Sequence, residues 1–381
     1  MKIHLKRIFL LFLILNIFLS CRNDDSPRPE YGAPTPYDFQ LKKSLASIDP
    51  VFDNTPIDNP TTNEGVELGR YLFYDQRLSK NDKVSCASCH QQEYAFSDPR
   101  TFSKGFEGKE TKRHSMSIIN MRWHPRFFWD ARAATLEEQV LMPIQDPIEM
   151  GMDTSDLKIK LAKIDLYPRL FKKAFGSEVI TANKISKGLA QFVRSIISQD
   201  SDYDDFYYQT IPRLKIILSD QLYLGYRLYN RHPDPSESDK NIPGNLEYRG
   251  ANCFECHGGA MITDLGITTN GIDKETTDSG FGAITGKTSD DGTFKTPSLR
   301  NIAHTAPYMH DGRFKTLREV LDHYDSHIKR HPNLPTDMLL AGNFEAMKFD
   351  LLEEEKDAII AYLNTFSDNE LLTNPKYSNP F

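Results

Sequence analysis

The sequence predicts an all-α protein built from two related domains. In residues 64–74, 185–197 and 353–366, apolar side chains recur at intervals of three and four positions, which is typical of helices with one buried face. A short pattern, Leu-Gly-x-x-Leu-aromatic followed by Cys-x-x-Cys-His, occurs twice in the same order. The chain has 381 residues, of which 39% are hydrophobic and 26% are charged. This length and composition suit a folded protein of two domains.

The charge balance gives no reason to expect a nucleic-acid partner. Lysine and arginine number 46, aspartate and glutamate number 53, and the formal net charge is -7. A nucleic-acid-binding domain would show a basic excess. The five cysteines are too few to hold a chain of this length together by disulfides, so their spacing is the informative feature.

The N-terminal residues predict export. Lys2, Lys6 and Arg7 precede an almost entirely apolar run at 8–19. This run is shorter than the roughly 20 residues that a transmembrane helix needs. A basic start followed by a short apolar core is typical of a signal peptide, which we place at residues 1–20. The rest of the chain is therefore expected on the periplasmic side of a membrane.

The end of the predicted signal peptide suggests a lipid anchor. The segment Phe18-Leu19-Ser20-Cys21 resembles a loose bacterial lipobox, in which Cys21 would be lipidated and would hold the protein at a membrane. The alternative is ordinary signal cleavage, with Cys21 incidental. Residues 21–60 are rich in proline, aspartate, asparagine and serine, and we expect them to form a linker.

The repeated pattern sets the domain boundaries. Gly69 lies in the first copy and Gly225 in the second, and each precedes its own Cys-x-x-Cys-His motif. The second copy is longer because of a polar segment at 231–245, where insertions are well tolerated. We therefore expect an N-terminal domain at 61–215 and a C-terminal domain at 216–381.

Each Cys-x-x-Cys-His motif predicts a covalently attached haem of the c type. Two thiols on one turn reach the vinyl groups of a porphyrin, and the histidine that follows coordinates the iron. A redox-active cysteine pair does not require the histidine, and a zinc site would need ligands from both motifs. The expected ligands form two sets, Cys86, Cys89 and His90 for the first haem and Cys253, Cys256 and His257 for the second.

The second axial position of each iron separates an electron carrier from an enzyme, because an open position lets the iron bind peroxide. After His90, the next histidine is His114 and the next methionine is Met116. The first haem therefore has no distal ligand close by in the sequence. This feature disfavours a dihaem electron carrier in which both irons are fully ligated.

Several residues could supply the distal ligand of the second haem, namely Met309, His310, Tyr324 and Met347. Residues 316–324 form a predicted amphipathic helix, and Tyr324 lies on its apolar face. His323 lies to one side of that face and is expected to be exposed to solvent. The alternative for Tyr324 is an ordinary core tyrosine.

The chain resembles the bacterial dihaem cytochrome c peroxidase family, and within it the MauG-like subgroup, over roughly residues 60–367. That family has two cytochrome-c-like α domains with one haem in each and a calcium ion between them, and its members are often homodimers. The resemblance is carried by segments in family order, LGRYLFYDQRLS, CASCH, FFWDARAATLEEQ, PIQDPIEMG, CFECHGG and TPSLRNIAHTAPYMHDGRFKTL.

The resemblance implies roles for individual residues. Trp129 would lie between the haems and couple them, and Gln139 and Glu149 would line the peroxide site, with Glu149 as general base. Tyr324 stands where most members have a methionine ligand to the second haem. No histidine in 96–112 matches the movable distal histidine of most members, which implies a first haem that is open without prior reduction. The alternatives are a core aromatic role for Trp129 and a solvated loop carboxylate for Glu149.

The resemblance also implies a calcium ion, but not all of the family's calcium ligands have a match in this sequence. Thr305 and Pro307 match the family's carbonyl ligands, but His114 stands where an asparagine is expected.

The resemblance implies a peroxidase that reduces hydrogen peroxide to water with electrons from a small redox protein, a cytochrome c or a cupredoxin, delivered through the C-terminal haem. One alternative is a MauG-like oxidase that acts on a protein or organic substrate through a high-valent dihaem state. A dihaem electron carrier is the alternative without catalysis.

Overall fold

The computed structural model describes residues 32–209, 211–231, 250–339 and 345–381. The predicted signal peptide and Cys21 lie outside the described residues. Among the residues that are described, no helix has the length and apolar character needed to cross a membrane. Residues 34–381 form one compact unit, and the predicted boundary between 61–215 and 216–381 stays a prediction.

The described chain is mainly helical, as predicted, with long stretches of turns and 3₁₀ segments between the helices. The helices of the first half are α1 (Lys43–Ala46), α2 (Asn63–Tyr74), α3 (Leu136–Gln139), α4 (Met142–Gln145), α5 (Thr154–Ala162), α6 (Leu166–Phe175) and α7 (Ala182–Ser195). Those of the second half are α8 (Asp202–Phe206), α9 (Ile211–Ile217), α10 (Asp220–Asn230), α11 (Cys253–Cys256), α12 (Gly282–Thr285), α13 (Leu317–Asp322) and α14 (Glu353–Asn364).

A small antiparallel β-ladder departs from the all-α prediction. Strand β1 (Ile267–Thr268) pairs with strand β2 (Phe294–Lys295), and Ile267 lies opposite Lys295. Two strands of this length add little independent stability. Their effect is to fix the two loops that carry them beside each other, close to the second Cys-x-x-Cys-His motif.

The repeated Leu-Gly pattern produces a close helix crossing in the first half. The side chain of Thr62 caps α2 by accepting the backbone N–H of Gly65, and the apolar face of α2 packs against α7. A β-carbon added at Gly69 would lie 2.0 Å from the carbonyl oxygen of Gly188. Only glycine permits this approach of two helix backbones.

The second half repeats the same crossing. Helix α10 packs against α14, and a β-carbon added at Gly225 would lie 2.1 Å from the carbonyl oxygen of Ala358. The two glycines of the repeated pattern therefore have the same structural role. This equivalence supports the interpretation of the pattern as an internal repeat.

The structure also reveals a longer repeat that follows each motif. Segments 117–135 and 298–316 have left-handed backbone conformations at matching positions, and each closes a loop with a single β-bridge. The matched pairs are Asn120 and Asn301 (φ 56° and 58°), Phe128 and Met309 (φ 67° and 74°), and Ala131 and Gly312 (φ 53° and 62°).

Two main clusters of buried apolar side chains lie in the described part of the chain. The first is centred on α2 and α7 and includes Phe73 and Phe192. The second is centred on α10 and α14 and includes Tyr362 and Phe366. A smaller cluster around Trp123 includes residues from both halves of the chain. The first cluster also includes Leu371 and Tyr377 from the C-terminal segment, so the end of the chain packs on the first half.

Candidate active site

The first Cys-x-x-Cys-His motif has the local geometry of a proximal haem ligand. Cys86–Ser88 forms a 3₁₀ turn, and the Nδ1 atom of His90 lies 3.0 Å from the carbonyl oxygen of Phe96. A carbonyl accepts only, so Nδ1 carries the proton and Nε2 is left as the metal-binding atom. Burial lowers the pKa of His90, which keeps its imidazole neutral.

The second motif repeats this arrangement. Helix α11 carries Cys253 and Cys256, and the Nδ1 atom of His257 lies 3.1 Å from the carbonyl oxygen of Pro297. Burial lowers the pKa of His257 to about 4. All three residues line a cavity of about 480 Å³. A cavity of this size is typical of cofactor sites.

The four motif cysteines are free thiols. Burial raises the pKa of Cys86 and Cys253 to about 12, and that of Cys89 and Cys256 to about 11. Among the described residues, no group of three or more His, Cys, Asp or Glu side chains could hold a metal ion. Free thiols beside a neutral, oriented histidine fit covalent haem attachment better than a disulfide or a zinc site.

The distal side of the second cavity contains Tyr324. This residue lies in a π-helical turn, His323–His327, that directly follows α13. Its hydroxyl lies 3.4 Å from the side-chain amide nitrogen of Asn270, and burial raises its pKa to about 12. Tyr324 therefore lines the cavity, and its role as a ligand of the iron stays a prediction.

Three other predicted candidates line the same cavity, namely Met309, His310 and Met347. The amide of Asn270 also donates to the sulfur of Met309, at 3.2 Å. Asn270 thus links two candidate ligands, although no sequence pattern had indicated it.

The prediction that His323 faces solvent was wrong. Its side chain is buried, with 4% of the residue exposed, and its Nε2 atom lies 3.1 Å from the carbonyl oxygen of Asn270. The ring also packs against that of Phe314. The α-helix ends at Asp322, and the wider π turn that follows changes the direction of each later side chain.

Glu149 is held close to the first motif. The side chain of Asp146 accepts the backbone N–H groups of Ile148 and Glu149 at 2.7 and 3.2 Å. The carbonyl of Glu149 accepts the backbone N–H of Phe106 at 2.8 Å. The loop therefore fixes its backbone from two sides.

The surroundings of Glu149 favour its protonated form. Burial, followed by the negative charge of Asp146, raises its pKa to about 7, and the charge of Arg132 opposes this shift. The carboxylate in turn contributes to the raised pKa of Cys86 and Cys89. The carboxyl group therefore lies within electrostatic range of the first pair of thiols.

Trp129 lines the second cavity. Its indole N–H donates to the carbonyl oxygen of His114 at 2.9 Å, and its ring centre lies 6.5 Å from that of His310. The predicted peroxide-site residue Gln139 is half-buried at the C-terminal end of α3. The structure thus joins Trp129 and Tyr324 to one cavity, whereas Glu149 lies by the other motif.

The residues implied for calcium also line the second cavity, including Thr305, Pro307 and His114. The ring nitrogens of His114 lie 3.1 Å from the carbonyl oxygen of Arg100 and 3.3 Å from the hydroxyl of Ser97. The ring is therefore already held by protein groups where the family has an asparagine. Calcium binding stays a prediction.

Comparison with known proteins decides the family. The profile of the di-haem cytochrome c peroxidase family matches residues 63–210. The methylamine utilization protein MauG of Methylophilus methylotrophus is 32% identical over 316 residues, which covers 83% of this chain and 86% of the relative. The chain belongs to the di-haem cytochrome c peroxidase family. It is therefore an oxidoreductase of the cytochrome c peroxidase type, as predicted.

Other relatives support the same assignment. The cytochrome c551 peroxidase of Nitrosomonas europaea is 30% identical over 293 residues and covers 74% of this chain and 81% of its own. The crystal structure of a MauG-like protein associated with microbial copper homeostasis has a TM-score of 0.71 at 33% identity. The match covers 93% of this chain and 99% of that protein. Both peroxidases and MauG proteins are thus similar to this chain.

Proposed function

We propose that this chain carries one covalent haem on each Cys-x-x-Cys-His motif and reduces hydrogen peroxide to water at the first. Cys86, Cys89 and His90 would hold the first haem, and the second motif would hold the other. The iron of the first haem would bind the peroxide and supply the redox chemistry that cleaves the oxygen–oxygen bond. The remaining steps belong to side chains of this chain.

The observation that carries this proposal is the half-buried Glu149 beside the first motif. Its pKa of about 7 lets it take a proton at neutral pH and give it up again. Glu149 would accept the proton of the near peroxide oxygen and return it to the departing oxygen, which then leaves as water. A fixed backbone is what such a transfer needs, and Asp146 and Phe106 provide it.

The reaction consumes two electrons and two protons for each peroxide. We propose that a small cytochrome c or cupredoxin supplies the electrons to the second haem and that Trp129 couples the two centres. The position of Trp129 in the wall of the second cavity supports this role. The predicted signal peptide and the lipidation of Cys21 would place the protein at a membrane, on the periplasmic side.

A second candidate function is oxidation of an aromatic residue of a partner protein, or of an organic substrate. Tyr324 favours it, because a bound tyrosinate stabilises oxidised iron and would make the second haem a poor acceptor of electrons. The similarity to MauG proteins points the same way. Measuring the products decides between the two. Peroxide turnover should depend on a reduced cytochrome or cupredoxin in the first case and on an oxidisable substrate in the second.

The role of Glu149 is tested by Glu149→Gln, with Glu107→Gln as the matched control. Glu107 lies on the neighbouring loop but is exposed and paired with Lys109. Peroxide turnover of E149Q should fall by a factor of about 10² to 10⁴, the usual contribution of a general acid–base group. Both haems should stay attached, as the absorbance of the denatured protein reports. Unchanged turnover in E149Q would remove Glu149 from the mechanism.

A further inference from the structure

A buried lysine and a buried histidine form a pair in the wall of the second cavity. The ammonium group of Lys295, on strand β2, lies 3.2 Å from the Nδ1 atom of His124. Lys295 is 3% exposed and His124 is 0% exposed. The ammonium donates to Nδ1, so the proton of the neutral imidazole resides on Nε2. That Nε2 atom is buried and has no hydrogen-bond partner among the described residues.

The lysine has no acidic partner in the described part of the chain. Within the described residues, the ammonium group is hydrogen-bonded to His124 alone, and no carboxylate lies within ion-pair distance of it. Burial lowers the pKa of Lys295 to about 8, so its amine is still mostly charged at neutral pH. A buried charge without a partner is unfavourable. Buried charges in proteins are usually paired with an opposite charge.

The cavity has an acidic side and a basic side. Glu255, Asp264 and Asp337 line it near Cys256, whose pKa their charges raise. Lys295 lines the cavity too, but none of these acids shifts its pKa. An anionic group inside the cavity would therefore be repelled on the side of Cys256 and attracted to Lys295.

The ligand expected in this cavity carries such anionic groups. A haem attached to Cys253 and Cys256 has an apolar ring and two propionate carboxylates. We propose that Lys295 and His124 bind the propionates of the second haem, an assignment that rests on the proposed function. Lys295 supplies the positive charge, and His124 supplies a hydrogen bond from Nε2. The orphaned imidazole N–H and the unpaired ammonium are thereby both satisfied.

The pair also has a consequence for electron transfer. Reduction adds a negative charge to the iron centre, so a nearby positive charge favours the reduced form. Lys295 therefore raises the reduction potential of the second haem, in opposition to a tyrosinate ligand at Tyr324. It is a positioning and tuning residue, since it acts on the haem periphery and not on the peroxide.

The test uses the haem-loaded protein and measures the midpoint potential of each haem by spectroelectrochemical titration. Lys295→Met removes the charge and leaves a side chain that suits a buried site. Lys295→Arg retains the charge. Lys287→Met is the control for loss of a positive charge, because Lys287 is exposed to solvent and lies only a few residues before Lys295 in the sequence. We expect the potential of the second haem to fall in K295M, to fall less in K295R and to stay unchanged in K287M. In each variant, the potential of the first haem should change less than that of the second haem.

Two outcomes separate the two proposals. If K295M has both haems attached and the same second potential as K287M, the propionate assignment is overturned and the peroxidase proposal is untouched. If the unmodified protein has no haem on the second motif, the proposed function itself fails. Should K295M not fold, His124→Leu provides the same readout, with a smaller fall expected from loss of the imidazole N–H.

Discussion

The reaction with peroxide should depend on pH through Glu149. The carboxylate is the form that accepts a proton from peroxide, and burial together with Asp146 raises its pKa to about 7. The rate constant for peroxide should therefore rise as the pH rises through about 7. A solvated glutamate, with a pKa near 4.3, would already be ionised across this range and would give a flat profile.

The size of the effect follows from the fraction ionised. With a pKa of about 7, roughly a tenth of the molecules carry the carboxylate at pH 6 and roughly nine tenths at pH 8. The second-order rate constant should increase about tenfold between these two values. Stopped-flow absorbance of the oxidised protein mixed with hydrogen peroxide, at constant ionic strength, measures it directly.

Asp146→Asn sharpens this test. The asparagine oxygen can still accept the backbone N–H groups of Ile148 and Glu149, so the loop is preserved, but the charge that raises the pKa of Glu149 is lost. The midpoint of the pH profile should move to lower pH. Asp156→Asn, a change of the same kind at an exposed position, should leave it in place. Identical midpoints in the two variants, or a flat profile in the unmodified protein, would refute the reasoning.

Three further predictions concern the second haem and the fold. Tyr324→Phe should change the absorbance and EPR signals of the second haem alone, and unaltered signals would exclude Tyr324 as a ligand. Gly225→Ala should lower the free energy of unfolding by about 1–3 kcal/mol, because the added β-carbon would lie 2.1 Å from the carbonyl oxygen of Ala358. Thermal unfolding measures the loss of stability, and an unchanged melting temperature would contradict the close crossing of α10 and α14. Arg300→Met should cost about 3–5 kcal/mol, because the buried Asp204 keeps its hydrogen bonds from Ser44 and Ser201 but loses its ion-pair partner. Burial raises the pKa of Asp204, but the hydrogen bonds and charge of Arg300 outweigh that effect and lower it. The stability that the pair provides is therefore present above the unfolded-state pKa of about 3.9 and is lost as the pH falls through the folded-state pKa. Acid unfolding of the unmodified protein and of the Arg300→Met variant should show this loss only in the unmodified protein.

The sequence was most informative where chemistry requires a fixed spacing. The two Cys-x-x-Cys-His motifs predict covalent haem attachment, and in both the histidine, His90 or His257, has its Nδ1 atom close to a backbone carbonyl, which leaves Nε2 for a metal. The repeated glycines were equally informative, because Gly69 and Gly225 both lie at helix crossings that admit no side chain. The family assignment, which rested on motifs in order, is confirmed by the comparisons.

Other features depended on tertiary structure that no local pattern reveals. The periodicity that placed Tyr324 inward assumed an unbroken α-helix, and the π turn after Asp322 buried His323 as well. Lysine is ordinarily an exposed residue, so nothing in the sequence marked Lys295 as buried. Lys295 lies on β2, opposite Ile267 of β1, and this strand pairing was not predicted.

The most direct test is the optical and EPR spectrum of the fully oxidised protein, before and after one equivalent of hydrogen peroxide. If the first haem has an open distal position, one haem should be high-spin at the start, and its signal should be lost on addition of peroxide without prior reduction. Two low-spin haems that do not respond to peroxide would contradict an open first haem and would indicate either an electron carrier or a peroxidase that must first be half-reduced.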